Sequence, residues 1–224
     1  MDALLQNFFQ FEIYREVFPF LLRGLWTTIW LSLLVIPIGV VSGLALALVA
    51  TQTRHRWLRW TITAYVDGFR AFPPLVLLIL IYFGTPFLGV DLPKLAAVAI
   101  GFMLNNSAYF SEVFRAGIES VPAGQMEAAR STGLTRLQAL RHVIVPQAAR
   151  NVLPDLVGNG IEVVKLTTIA SVVALPELLR VARDAQALVY NPSPIVLAAL
   201  MYLALLWPMV RWLARLEHQA RAVH

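Results

Sequence analysis

Long stretches without an ionisable side chain set the pattern of this sequence. Leu25 to Ala50 is one, Ala71 to Val90 a second, Leu95 to Ser111 a third and Ala185 to Val210 a fourth. The hydrocarbon core of a bilayer is about 30 Å thick and a helix rises 1.5 Å per residue, so a crossing takes about 20 mainly apolar residues. Three of these runs are long enough alone. Leu95 to Ser111 reaches that length by extending through Lys94 and Glu112. A fifth segment, roughly Val152 to Leu175, is interrupted by Asp155, Glu162 and Lys165 and is read as a helix all the same. The pattern predicts an all-α integral membrane protein with five transmembrane helices, in one transmembrane domain over 1–224. No repeat, linker or low-complexity segment divides it.

Composition agrees. Of 224 residues, 58% are apolar and 14% charged, where soluble chains average about 45–50% and about 25%. The net charge of +5 fits basic loops on one side of a membrane better than it fits nucleic acid, which is not expected as a partner. Arg54, Arg56 and Arg59 follow the first run; Arg130, Arg136, Arg141 and Arg150 lie between the third and fourth spans; Arg211, Arg215 and Arg221 follow the last. The other two connections hold only Asp91 with Lys94, and Glu177 and Asp184 against Arg180 and Arg183. The positive-inside rule then puts the N-terminus outside and the C-terminus in the cytoplasm. Asp2, Glu12 and Glu16 do not suit the basic start of a secretory signal. With no cysteine, disulfides, thiolate catalysis and cysteine-ligated metals are excluded.

The most informative stretch runs from Glu119 to Pro146, on the arginine-rich side. It is too polar to span. Pro122 suits a first helical turn, Gly133 a left-handed helix end, and Thr135 with Gln138 has capping-box spacing; Pro146 limits the second helix. Physics alone leaves two uses equally open: a surface connector, or a docking element for a partner. The triplet Glu127-Ala128-Ala129, then Gly133, then Ile144-Val145-Pro146 resembles the EAA loop of ABC-importer permeases in order and spacing. Asn106 to Ile118, Val121 to Gln125, Pro146-Gln-Ala148, Phe69 to Pro74, Val164 to Thr168 and Pro176 to Leu179 resemble the polar-amino-acid branch, which serves histidine, arginine, glutamine and glutamate. Ala71, Phe72, Leu166 and Met126 depart from that branch's usual residues.

The resemblance implies a type I importer-like permease of the bacterial cytoplasmic (inner) membrane, with a coupling loop over about 119–150. It also implies partners: cytoplasmic ATPase subunits docked on Glu127, Ala128, Ala129, Gly133 and Pro146, an extracytoplasmic solute-binding protein, and a second permease subunit, identical or homologous. A cystine, opine or ectoine-like solute is an alternative cargo, and an ATP-independent secondary transporter an alternative class.

Charges at membrane depth are costly, by about 2.5–3.5 kcal/mol each on insertion scales, and they face a cavity or a partner. Asp155, Asn159, Glu162 and Lys165 follow at steps of four, three and three, which places them on one helical face. That stripe is a candidate substrate path, because an amino-acid zwitterion leaving water needs fixed partners of both signs. A Glu162–Lys165 pair that only holds helices together is the competing reading. Asn105, Tyr109 and Glu112 repeat the spacing on the third span, as helix packing or as path residues. Asp67 and Arg70 are expected to pair locally before the tandem Pro73-Pro74, with a kink. Gly39 and Gly43 suggest close packing.

Neither lysine follows a glycine, so there is no phosphate loop. No cofactor is expected in this chain; ATP belongs to the partner. No histidine pair has metal-ligand spacing and no GxSxG elbow occurs, so neither a metal nor an enzyme is expected.

Overall fold

The computed structural model describes residues 8–222; Asp2 and His224 lie outside them, as does the side chain of Arg221. The helices, in chain order, are α1 Phe11–Gln52, α2 Arg56–Ala71, α3 Pro74–Gly84, α4 Lys94–Ser120, α5 Ala123–Ser131, α6 Arg136–Ala139, α7 Val145–Asn151, α8 Leu153–Leu166, α9 Leu178–Val189 and α10 Ser193–Ala222. The described residues form two compact units. The first takes the chain up to Ile36, Pro74–Gly101 and Ile161–Trp212; the second takes Pro37–Pro73, Phe102–Gly160 and the chain from Leu213.

Among the described residues, three helices are long and apolar enough to cross a membrane: Phe11–Gln52, Leu153–Val173 and Ser193–Gln219. Taking α2 with Pro74–Leu88 as one broken span adds a fourth. The 27 residues of α4 are long enough as well, but Asn105, Asn106, Ser107 and Ser111 make it too polar to meet the same apolar standard. The 42 residues of α1 would reach about 63 Å at 1.5 Å each, so α1 extends well beyond the expected Leu25 to Ala50.

Two expected spans have different boundaries. Ala71 to Val90 is not one helix: α3 has 11 residues, about 16 Å, because Pro73 and Pro74 interrupt the ladder from α2. Ala185 to Val210 is cut as well. Tyr190 stands at φ 51° and ends α9, Asn191 Oδ1 accepts the Ser193 N–H at 2.8 Å, and α10 starts at Ser193.

In the first unit, Val17 and Leu21 of α1, Leu178, Ala182 and Ala185 of α9, and Ala198 and Met201 of α10 share one apolar cluster. Glu177 caps α9 from within it. Its carboxylate accepts the N–H of Leu179 at 2.8 Å and of Arg180 at 2.6 Å, and the Tyr202 hydroxyl at 2.9 Å. Fully buried, Glu177 has its carboxyl pushed above the usual carboxylate range by that burial. Further along the same helix Arg180 pairs with Asp184 at 3.1 Å.

In the second unit, Ile62 and Val66 of α2 pack on Ala108 of α4, with Leu46, Ala50, Leu58, Tyr65 and Phe69 around them. Gly39 and Gly43 bring α1 against Asn106, Phe110 and Ser111, as their spacing suggests.

Candidate functional site

The polar loop folds as two helical arms. Pro122 is the residue before α5, one position earlier than a first-turn proline. Gly133 takes φ 89° just past the helix end, the left-handed cap that only glycine adopts without strain. The capping box forms: Thr135 Oγ1 accepts the Gln138 N–H at 3.3 Å, and Gln138 Oε1 accepts the Thr135 N–H at 2.9 Å. Pro146 does not end the second arm. A π-turn at Leu140–Ile144, in which the Val145 N–H reaches the Leu140 carbonyl, precedes it, and α7 continues through Pro146 to Asn151. The wider turn absorbs the proline's missing donor and its ring.

Arg136 Nε donates to Gln52 Oε1 at 3.0 Å, tying the second arm to the end of α1. Asn151 Nδ2 donates to the Ser120 hydroxyl at 2.9 Å. Gly117 lies so close to α7 that a Cβ there would stand 2.9 Å from the Ala148 carbonyl oxygen. The arms are thus fixed to the helices that carry them. Ala129 is buried; Glu127, Ala128, Gly133 and Pro146 are exposed. Among the described residues the Glu127 carboxylate has no ion pair, and Leu137, on the second arm, is 76% exposed. The two arms thus expose an unpaired acid, two small residues and a bare leucine.

The α8 residues divide sharply. Ile161, Val163 and Val164 are buried, whereas Glu162, Lys165 and Asp155 are exposed and Asn159 half-buried. Glu162 and Lys165 form an ion pair with both side chains still about half exposed. Pairing and an outward-facing position therefore coexist.

Asn105, Tyr109 and Glu112 converge on the end of α2. In a continuous helix the Phe69 carbonyl would accept from residue 73 and the Arg70 carbonyl from residue 74. Both are prolines without an N–H. Asn105 Nδ2 donates to the Phe69 carbonyl at 3.0 Å, and the Tyr109 hydroxyl to the Arg70 carbonyl at 3.3 Å. One turn further, Glu112 takes the Arg70 guanidinium at 3.3 Å, so the partner of Arg70 is Glu112 and not Asp67. Glu112 also binds Arg115 through two bonds of 2.9 Å, a local pair the spacing anticipates. The stripe at steps of four and three holds open the break that the prolines create.

This has a direct test. Asn105→Leu leaves the Phe69 carbonyl without a partner, a cost of about 1–3 kcal/mol, and Tyr109→Phe a smaller one. Thermal unfolding of the purified chain is expected to drop by several degrees for Asn105→Leu and less for Tyr109→Phe. Unchanged melting for both variants defeats the capping role.

Residues 35–222 match the family of binding-protein-dependent transport system inner membrane components. The chain belongs to that family. Among its relatives, the probable amino-acid ABC transporter permease protein YckA of Bacillus subtilis (strain 168) is 37% identical over 175 residues, covering 78% of this chain and 77% of the relative. The L-cystine transport system permease protein TcyB of the same organism is 38% identical over 172 residues, covering 77% and 73%. A crystal structure of an amino acid ABC transporter with histidines matches with a TM-score of 0.84 at 34% identity, over 94% of this chain and 98% of that one. As an inner membrane component, the chain is a transport subunit and not an enzyme, and it shares the helical architecture of that solved transporter. The use of Glu177 as a buried helix cap is the element that sequence reasoning missed. Its signal was an acid directly after Pro176 and before an amphipathic run, the position of a helix N-cap.

Proposed function

We propose that the chain is the permease subunit of an ABC importer for polar amino acids in the bacterial cytoplasmic membrane. Five spans run from an outer N-terminus to a cytoplasmic C-terminus, the fifth being α4 with its polar face turned to α2. The observation that carries the substrate path is the exposed Glu162–Lys165 pair within the span Leu153–Val173. Facing hydrocarbon, such a pair would be costly; beside a wet path between two permease subunits it presents fixed charges of both signs to a zwitterion. Asn159 and Asp155, earlier on the same helix, continue the path. Asn105 and Tyr109 hold the end of α2. Cytoplasmic ATPase subunits seat on the arm carrying Glu127, Ala128, Ala129 and Gly133, and an extracytoplasmic binding protein delivers the cargo.

The test is uptake into proteoliposomes holding the permease with its ATPase and binding protein. The panel is histidine, arginine, glutamine, glutamate and cystine, the last because of the cystine-named relative. Glu162→Gln and Lys165→Met are each expected to lower uptake of the preferred amino acid at least about tenfold, the 1.4 kcal/mol that one lost charged contact readily exceeds. Wild-type uptake rates in both variants would show that the pair serves packing alone.

A further inference from the structure

The second unit contains a cavity of about 620 Å³ at the loop end of α1, α2 and α4. Its wall carries Arg59, Asp67, Ser111, Glu112, Arg115 and Glu119, a concentration of charge found in few places in so apolar a chain. Part of this wall is closed on itself. Arg115 is held by Glu112 and, at 2.7 Å, by Glu119, and Glu112 is shared with Arg70.

Three groups remain uncommitted. Asp67 has no ion pair or hydrogen bond among the described residues. Ser111 is 2% exposed, yet its hydroxyl has no hydrogen-bond partner among them. Arg59 donates to the Thr53 carbonyl at 3.1 Å and has no carboxylate. A hydroxyl without a protein partner, with an exposed anion and an exposed cation on the same cavity wall, is the arrangement of a ligand site.

Geometry narrows the ligand. Arg59 and Asp67 lie eight residues apart on α2, about 12 Å along its axis. The α-ammonium and α-carboxylate of one amino acid are too close together to reach both. A molecule with its anion at one end and its cation at the far end of a flexible chain does reach both.

We propose that this cavity binds a free amino acid with a cationic side chain, its carboxylate on Arg59, its side-chain cation on Asp67 and Ser111 between them. The site's lining shares no residue with the Glu162–Lys165 pair. Resting on the importer reading, which puts the loop end in the cytoplasm, it meets the delivered product and not the incoming cargo. Its position at the root of the coupling loop lets occupancy restrain α4 against α2 and slow turnover.

The assembled transporter, without binding protein, is titrated calorimetrically with L-arginine, L-glutamine and L-glutamate as wild type, Asp67→Asn, Asp67→Glu and Glu162→Gln. L-Arginine binding that weakens at least tenfold in Asp67→Asn, persists in Asp67→Glu and Glu162→Gln, and is absent for L-glutamate is the expected result. Binding equal in wild type and Asp67→Asn, or absent in wild type, overturns the site. In proteoliposomes, L-arginine enclosed in the lumen that faces the loop end is expected to slow wild-type uptake and to leave Asp67→Asn uptake unaffected; equal slowing of both also overturns it. Uptake that proceeds normally without such binding removes this inference alone, whereas absence of uptake for every amino acid removes the importer reading.

Discussion

Gly43→Val is expected to abolish recovery of folded protein. A Cβ on Gly43 would stand 2.6 Å from the Phe110 Cβ, 2.8 Å from the Ser111 nitrogen and 3.0 Å from the Phe110 carbonyl carbon. Two of these three are backbone atoms of α4, so no rotamer change relieves the clash. The helices must separate, and overpacking of this kind costs about 1–3 kcal/mol or more. Separation also uncovers Asn106 and Ser111, polar groups in a spanning helix that gain from close approach. Gly43→Ala should melt several degrees lower, at about 2–4 °C per kcal/mol for a chain of this size, and Gly43→Val should be lost to aggregation on extraction. Gly68→Ala is the control. Nothing lies within 4 Å of a Cβ there, so the helical preference of alanine should make it neutral or stabilising, by about 0.5–1 kcal/mol at most. Size-exclusion profiles and melting curves in detergent decide it: a Gly43→Val protein that runs and melts like wild type would sink the close-packing argument.

Where the chain is helical was legible from charge-free length, because a bilayer imposes that length on any segment crossing it. Leu153–Val173 was readable despite Asp155, Glu162 and Lys165, since all three fall on one face and leave the other apolar. Boundaries were less legible where a short local signal competes with hydrophobicity. Pro73-Pro74 announces a break, but hydropathy runs straight through it, so the 11 residues of α3 read as part of a full span. Asn191-Pro192 does the same between α9 and α10, where the turn residues were outweighed by the apolar run on both sides. The π-turn before Pro146 is invisible to pattern: the sequence shows only that a proline sits inside a helix, and a helix answers that by stopping or by widening.

Long-range partners were the least legible. Arg70 has Asp67 at the local spacing of three, which favours a pair in any sequence reading. The structure turns it to Glu112 because the Tyr109 contact draws the end of α2 onto α4. The Arg70 guanidinium lies 5.8 Å from the centre of the Tyr109 ring, and a cation over a ring face adds to that pull. Asn105 and Tyr109 were visible as a stripe, but their role was not. It depends on two carbonyls elsewhere whose donors are missing, and a missing N–H is information held by Pro73 and Pro74, more than 30 positions away.

Gly133→Asp is expected to separate the chain from its ATPase while leaving the permease folded. The backbone at Gly133 has φ 89°, where aspartate is among the few side chains tolerated, and nothing within 4 Å meets a Cβ there. A side chain there meets no clash but strains the backbone, a cost of about 1 kcal/mol that Gly133→Asp and Gly133→Asn share. The new side chain instead projects a charge from the turn between α5 and α6, six residues on from the unpaired Glu127. A partner surface that accepts Glu127 meets a second negative charge in its place of closest approach, and like-charge juxtaposition in an interface costs several kcal/mol. Co-purification of the ATPase with the permease should fall more than tenfold, and uptake with it. Glu127→Ala, which introduces neither strain nor bulk, should weaken association less and in the same direction. Gly133→Asn, tolerated at this φ and uncharged, should retain most of it. Loss in Gly133→Asp with retention in Gly133→Asn isolates charge at the contact as the cause. If all three variants carry the ATPase like wild type, the loop is a surface connector after all. The energy for transport would then have to enter through some other part of the chain.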